Sequence, residues 1–174
     1  MKRIIVFSIS ILFILCSCEN NKAYRPSLFP DKKTIKNYSF MIPYTEKNGA
    51  LMVRIRLNGG PQFEGTWDSG CGVPLKISKL EAMSLVKDGT LSESDYRQRL
   101  PVKVANGQEN EYDVYMLKSI SFMDGEGKEH TLSDVPAVID DNAGTNILIG
   151  LPVMQKLGDS HEISQFDQSI YFKE

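Results

Sequence analysis

The chain has 174 residues, of which 41% are hydrophobic and 24% charged, and it carries a formal net charge of −2. This length suits one ordinary domain and excludes a TIM barrel, a protein-kinase domain and most two-domain enzymes. Because acidic and basic residues nearly balance, the chain lacks the basic surface of a nucleic-acid-binding protein, and no nucleic-acid partner is expected.

The first 17 residues have the pattern of an export signal peptide. Two basic residues near the start precede an apolar run over 4–15, which is too short to span a membrane comfortably. The run ends in the sequence LCSC at 15–18, which resembles a bacterial lipobox. The resemblance implies cleavage before Cys18, lipidation of Cys18 and a lipid-anchored protein in the cell envelope, outside the cytoplasm, at the outer membrane or cell surface. An ordinary secretory signal and an uncleaved anchor remain alternatives.

The next segment, residues 18–34, is polar, contains two prolines and shows little periodicity. Such a composition is typical of a flexible tether between an anchor and a domain. We therefore expect the folded domain to occupy residues 35–174.

Cysteine and histidine usage argues against a disulfide or a metal site. Cys71 is the one cysteine after residue 18, so a disulfide within the domain and a cysteine-based zinc site are both excluded. The two histidines, His130 and His161, share no metal-ligand spacing, and we interpret both as solvent-facing. No metal and no cofactor is expected.

Short strands joined by tight turns are predicted for the first part of the domain. The predicted strands are 38–42, 51–57, 62–67 and 73–77. Pro43 is predicted to end the first of them, and Asn-Gly pairs at 48–49 and 58–59 are strong hairpin signals. In the second strand, apolar residues alternate with arginines, which indicates one buried and one exposed face. A helix over 79–86 follows, with Ser78 as its N-cap.

The second part of the domain is predicted to consist mainly of strands as well. A short helix is predicted to start at Ser92 and to end before Pro101. The predicted strands are 102–104, 111–122, 135–139, 146–150 and 168–172. A helix over 152–157 has Pro near its start and Gly at its end. Together these elements predict an all-β body, closed or sandwiched, with one or two short helices.

One tripeptide stands out chemically, the Asp-Ser-Gly sequence at 68–70, which follows a strand and precedes an apolar segment. The nucleophile elbow, the phosphate-binding loop, the dinucleotide-binding fingerprint and the metalloprotease motif are all missing from the sequence. Taken alone, the tripeptide is also an ordinary turn sequence.

The order of the motifs resembles the retropepsin-like aspartic proteases. Their chain begins with strand, hairpin, strand, Asn-Gly turn and strand, followed by D-[ST]-G. A flap hairpin, a second hairpin, an apolar-apolar-Gly segment, a short helix and a last strand come after it. The resemblance covers about 35–172 and implies a single-lobed closed β-barrel or sandwich of the retropepsin type. It identifies 102–122 as the flap, whose tip at Ala105, Asn106 and Gly107 would cover the substrate.

The resemblance also implies roles for individual residues. Asp68, Ser69 and Gly70 would form the catalytic loop, in which Gly70 supplies a backbone N–H to the carboxylate and Ser69 hydrogen-bonds across the active site. Cys71 would lie beside the site as a structural residue. Gly150 would leave room behind the loop.

Because the sequence contains one D-[ST]-G and aspartic proteases use two carboxylates, the resemblance implies an obligate homodimer. Asp68 of each copy would share a proton and activate a water that hydrolyses a peptide bond of a polypeptide substrate. The alternative is a non-catalytic binding lipoprotein on the same fold, since one fold hosts many functions.

Overall fold

Strands make up most of the structure, a computed structural model that describes residues 37–103, 107–142 and 146–174. The strands in these ranges are β1 (Phe40–Lys47), β2 (Ala50–Leu57), β3 (Gln62–Asp68), β4 (Leu75–Ser78), β5 (Tyr96–Lys103), β6 (Glu109–Met123), β7 (Glu129–Asp140), β8 (Ile147–Gly150), β9 (Ser160–Ser164) and β10 (Ser169–Lys173). The helices there are α1 (Lys79–Lys87) and α2 (Leu151–Leu157), and Glu93–Asp95 form a single 3-10 turn. None of the helices in the described ranges is long and apolar enough to cross a membrane.

Six of the strands close into a barrel, with neighbours in the order β2, β3, β8, β4, β7 and β6. The ring closes because β6 pairs antiparallel with β2 over Ile55–Leu57. From β2 the sheet continues through β1 and β10 to β9, and from β6 it continues to β5. The predicted fold class, an all-β single-lobed closed barrel with one or two short helices, is confirmed.

Alternate residues of the barrel strands point into the core. In β2, Val53, Ile55 and Leu57 are at most 2% exposed, whereas Arg54 and Arg56 lie exposed on the outer face. Successive side chains of a strand point to opposite sides of the sheet, so this alternation fixes which face of β2 is buried. The arginines therefore lie outside the barrel.

Pro43 does not end the first strand, contrary to the prediction. β1 pairs with β10 up to Pro43, which lies opposite Ser169, and pairs with β2 from Tyr44 onward. A proline has no N–H to donate to a ladder, and this one sits where the strand exchanges one partner for another. The next N–H, that of Tyr44, donates to the carbonyl of Gln168 over 2.8 Å, so the strand continues.

The predicted helix after Ser78 is confirmed, and its start is well capped. The Ser78 hydroxyl accepts a hydrogen bond from the N–H of Leu80 at 3.2 Å, and Glu81 accepts one from the N–H of Ser78 at 2.8 Å. This reciprocal pattern is a capping box, which satisfies N–H groups that a helix leaves without partners in its first turn. The local sequence thus specifies where β4 ends and α1 begins.

The predicted helix after Ser92 is wrong beyond its first turn. Only the 3-10 turn at Glu93–Asp95 forms there, and the chain enters β5 at Tyr96. β9 was not predicted at all. Both β5 and β9 are edge strands with mostly exposed side chains, so neither carries the apolar alternation by which a strand is recognised in a sequence.

Both histidines are partly buried, so the interpretation of them as solvent-facing is wrong. His130 Nε2 lies 2.8 Å from the Asp124 carboxylate, and its ring stacks on Phe40. The His161 ring meets Trp67 edge-on, with 5.8 Å between ring centroids, and burial lowers its pKa. The aromatic neighbours come from distant parts of the sequence, so local composition did not reveal them.

Candidate active site

Asp68 is the last residue of β3, at the point where that strand lies parallel to β8. Asp68 and Gly150 are opposite each other in the register of this pair, and β3 is also held on its other side by β2. The Asp68 side chain is half-buried, whereas Ser69 and Gly70 are exposed. The carboxylate therefore stands at a fixed position at the end of two paired strands, next to a loop surface open to solvent.

The loop after Asp68 folds back on its carboxylate. The N–H of Gly70 donates to Asp68 Oδ1 at 2.9 Å, and the N–H of Cys71 donates to the Asp68 carbonyl at 3.1 Å. The second oxygen, Oδ2, has no hydrogen-bond partner among the described residues. One oxygen is thus oriented by the backbone while the other remains available.

Gly150 occupies a position where no side chain fits. The loop 69–74 joins β3 to β4, but β8 lies between these two strands in the sheet, so the loop crosses the end of β8. A Cβ on Gly150 would lie 1.9 Å from the carbonyl oxygen of Val73 and 2.7 Å from that of Cys71. Real atoms do not approach so closely. The close crossing requires glycine at this position.

Two backbone hydrogen bonds fasten the crossing loop to β8 and to the start of α2. The N–H of Gly150 donates to the carbonyl of Pro74, and that of Leu151 to the carbonyl of Cys71, both at 3.0 Å. These bonds, together with the ladder between β3 and β8, connect the carboxylate to the rigid part of the barrel. A side chain held in this way needs little reorganisation during a reaction.

The Cys71 thiol lies beside the loop and is half-buried. Its Sγ is 3.6 Å from the carbonyl oxygen of Val73. Burial raises the pKa of Cys71, and the nearby Asp68 carboxylate raises it further, although the hydrogen bond to Val73 opposes them. Because the thiolate is the nucleophilic form of cysteine, this environment does not activate Cys71.

Trp67 anchors the end of β3 from the core side. Its side chain is 6% exposed and packs edge-on against the rings of Phe122 and Phe172. Its indole N–H has no hydrogen-bond partner in the part of the chain that the structure describes. A bulky aromatic residue directly before Asp68 is thus accommodated by an aromatic core.

The segment 102–122, which was predicted to be the flap, lies within a longer hairpin formed by β5 and β6. Its last paired residues before the tip are Lys103 and Glu109. Gly107 is exposed and has a positive φ of 85°, a backbone conformation that favours glycine. The other two predicted tip residues, Ala105 and Asn106, lie outside the described residues.

The described residues contain no group of three or more His, Cys, Asp or Glu side chains placed to hold a metal ion. His130 is engaged with Asp124, and His161 packs on Trp67. The structure does bring together the Asp68 carboxylate, the N–H of Gly70 and the point where the 69–74 loop crosses Gly150.

A solved structure has a similar fold. The chain is similar to the crystal structure of a retropepsin-like aspartic protease from Rickettsia conorii, with a TM-score of 0.50 and 13% sequence identity, over 76% of this chain and 88% of that chain. No protein-family model matches the sequence, and no curated protein matches it. At this identity the likeness defines the fold, which is that of a retropepsin-like all-β barrel.

Proposed function

We propose that the protein is an aspartic endopeptidase that acts as a homodimer, with Asp68 from each of two copies forming the active site. The observation that carries the proposal is the position of Asp68. It ends β3 beside Gly150, accepts the Gly70 N–H, and belongs to the one Asp-Ser-Gly sequence of the chain, in a fold similar to that of a retropepsin-like protease.

The need for a second copy follows from the chemistry of peptide hydrolysis by carboxylates. One ionised carboxylate takes a proton from a water, which attacks the peptide carbonyl, while a second, protonated carboxyl polarises that carbonyl. Two carboxylates in contact hold one proton between them, because two adjacent negative charges repel each other. A two-fold axis next to Asp68 would supply the second group.

The exposed surface of the loop is compatible with such a dimer. Ser69 and Gly70 are exposed and Asp68 is half-exposed, so a second copy can approach the loop without rearranging the barrel. In the proposed dimer, Asp68 Oδ2 faces the partner carboxylate and the attacking water. The Ser69 hydroxyl bonds across the axis and holds the two loops together, and the β5–β6 hairpin covers the bound polypeptide.

We also propose that the enzyme is held at the outer membrane or cell surface by lipid on Cys18, with residues 18–34 as its tether. The support is the lipobox-like sequence at 15–18 and the polar composition that follows it. Anchoring confines the molecules to a surface and raises their local concentration, which favours dimer formation. Mass spectrometry tests this directly, because Cys18→Ala should abolish the mass increase from acylation. An unchanged mass increase would contradict the anchor.

The proposed activity is tested with a peptide library derived from a proteome, incubated with the full-length chain at acid and at neutral pH. Asp68→Asn should reduce cleavage by at least about a thousandfold, since it removes the ionisable group that activates water. Asp159→Asn is the matched control, because Asp159 is exposed and lies outside the site, and it should leave cleavage unchanged. Identical cleavage by wild type and Asp68→Asn would contradict the proposal, as would light scattering that finds only monomer at high micromolar concentration.

A further inference from the structure

A groove on the outer face of the barrel lies where β2 changes its neighbour. Residues Ala50–Val53 of β2 pair with β1, whereas Ile55–Leu57 pair with β6. At Arg54, between the β1–β2 and β2–β6 pairings, β1 and β6 separate and leave a cavity of about 460 Å³. This volume lies in the range of sites that bind small molecules.

The floor of the groove is apolar and its sides are polar. Pro43, Met52 and Met123 line it with carbon and sulfur, and Met52 is only 9% exposed. Hydroxyl and amide groups come from Thr45, Gln62 and Ser121. No lining residue belongs to the 69–74 loop or to β8, so the groove is separate from the candidate active site.

Two guanidinium groups, those of Arg54 and Arg56, also line this groove. Their positions in β2 differ by two, so their side chains leave the same face of the strand about 7 Å apart. Neither arginine has a hydrogen bond or ion pair within the described part of the chain. Two adjacent unpaired guanidinium groups repel each other and favour a shared anionic partner.

The neighbouring acidic groups are already engaged or lie at the rim. Glu64, which is opposite Arg54 on β3, forms an ion pair with Lys47 at 2.5 Å. The residues opposite Arg56, on the strands to either side, are the neutral Gln62 and Ser121.

Two carboxylates line the groove itself, those of Asp124 and Glu129. Asp124 is 7% exposed, and its oxygens accept hydrogen bonds from the His130 ring and from the N–H groups of Glu126 and Lys128. The negative charge of Asp124 is therefore compensated by the turn between β6 and β7 and by His130 at the start of β7. Glu129 is exposed, opposite Met123 at the end of β6, and marks the outer rim.

We propose that this groove binds a small amphiphilic anion, a molecule with a carboxylate or phosphate group on an apolar body. The forked guanidinium groups of Arg54 and Arg56 match the paired oxygens of such a group. The hydrocarbon part lies on Pro43, Met52 and Met123, where its burial adds to the binding energy. The site does not depend on the proposed peptidase activity, because it shares no residue with the Asp68 loop.

Methionine methyl groups provide a direct test with hexanoate as the probe. The full-length chain is labelled with ¹³C-methyl methionine, purified in a non-ionic detergent and titrated with hexanoate. The methyl signals of Met52 and Met123 should shift in a saturable way. Those of Met83, exposed on α1, and Met154, buried in α2, should not shift, because both lie outside the groove. Shifts of all four signals together would indicate non-specific binding and overturn the proposal.

Two comparison ligands separate the contribution of the negative charge from that of the hydrocarbon chain. Hexanamide has the same chain without the charge, and inorganic phosphate has the charge without the chain. Each should bind at least about tenfold more weakly than hexanoate, since each lacks one of the two contributions. Binding of hexanoate to wild type should also weaken as salt is added. Equal binding of hexanamide and hexanoate would overturn the role of the arginines.

Variants identify the groups responsible. Arg54→Gln and Arg56→Gln should each lower hexanoate affinity by about tenfold or more, because a charge-assisted hydrogen bond is lost. Lys118→Gln removes an exposed positive charge outside the groove and should leave affinity unchanged. If both arginine variants bind hexanoate as wild type does, the proposal is wrong. The salt dependence of wild type decides the question if a variant does not fold.

Discussion

Replacing Gly150 by alanine should destabilise the protein and displace Asp68. The added Cβ would lie 1.9 Å from the Val73 carbonyl oxygen, so the loop must retreat by about 1.5 Å to reach an ordinary contact distance. That movement breaks the two 3.0 Å hydrogen bonds that Gly150 and Leu151 donate to the loop. At about 1–3 kcal/mol for each of the two N–H groups left unpaired, the free energy of unfolding should fall by roughly 2–6 kcal/mol.

Urea denaturation followed by the fluorescence of Trp67, the single tryptophan, measures this loss. The melting temperature should also fall, by roughly 6–18 °C, given about 3 °C for each kcal/mol in a domain of this size. Gly72→Ala is the matched control, because Gly72 belongs to the same loop and a Cβ there meets nothing within 4 Å. If Gly150→Ala unfolds at the same urea concentration as wild type and Gly72→Ala, the loop does not cross β8 as described.

Three further predictions concern stability. Burial alone would raise the pKa of Asp124, but hydrogen bonds from His130 and two backbone N–H groups outweigh it and lower the pKa below its ordinary value of 3.8. The carboxylate therefore stabilises the fold above that value, and this contribution is lost as the pH falls through the lowered pKa. Unfolding free energies measured by urea at pH 7 and pH 3 should differ less in Asp124→Asn than in wild type, and an equal difference would contradict this. Ser78→Ala removes the cap of α1 and should cost about 1 kcal/mol in the same assay, and no loss would argue against the capping box. Lys47→Gln breaks only an exposed ion pair with Glu64 and should change stability by less than about 1 kcal/mol, so a larger loss would show that this pair is more than a surface contact.

Local signals in the sequence predicted the parts of the fold that depend on neighbouring residues. Both Asn-Gly turns form, with positive φ at Asn48, Gly49, Asn58 and Gly59. The first is the two-residue loop between β1 and β2, and the second begins the longer connection between β2 and β3. The capping box at Ser78 also forms, and its partners are three residues apart. Each of these features is decided within four or five residues, so composition and spacing were sufficient to find them.

Features that depend on distant residues were not predicted. The parallel pairing of β3 with β8 joins segments about eighty residues apart and follows from the closure of the barrel rather than from a local pattern. At Pro43, β1 changes its pairing from β10 to β2, and this change also depends on how distant strands pair. The groove at Arg54 likewise depends on the pairing of β2 with both β1 and β6. The sequence showed that Arg54 and Arg56 share an exposed face, but not that the sheet opens beside them.

The candidate site also has one part that the sequence predicted and one part that only the structure revealed. Asp68 and Gly150 were singled out by the resemblance of the motif order to the retropepsin-like proteases, since the Asp-Ser-Gly tripeptide alone is also an ordinary turn sequence. The three-dimensional reason for Gly150, a carbonyl group 1.9 Å from where a Cβ would be, became visible only when the crossing loop was placed over β8. A second carboxylate is not encoded in the same motif anywhere else in the chain.

Subunit mixing tests most directly whether each chain supplies half of an active site. Wild type and Asp68→Asn are mixed in equal amounts, dissociated, reassociated and assayed for peptide cleavage at constant total concentration. If two Asp68 side chains are needed, only dimers of two wild-type chains are active, and about one quarter of the wild-type activity should remain. An equal mixture with Asp159→Asn should retain full activity. A residual activity of about one half in the Asp68→Asn mixture would mean that each chain acts independently, which would contradict the account.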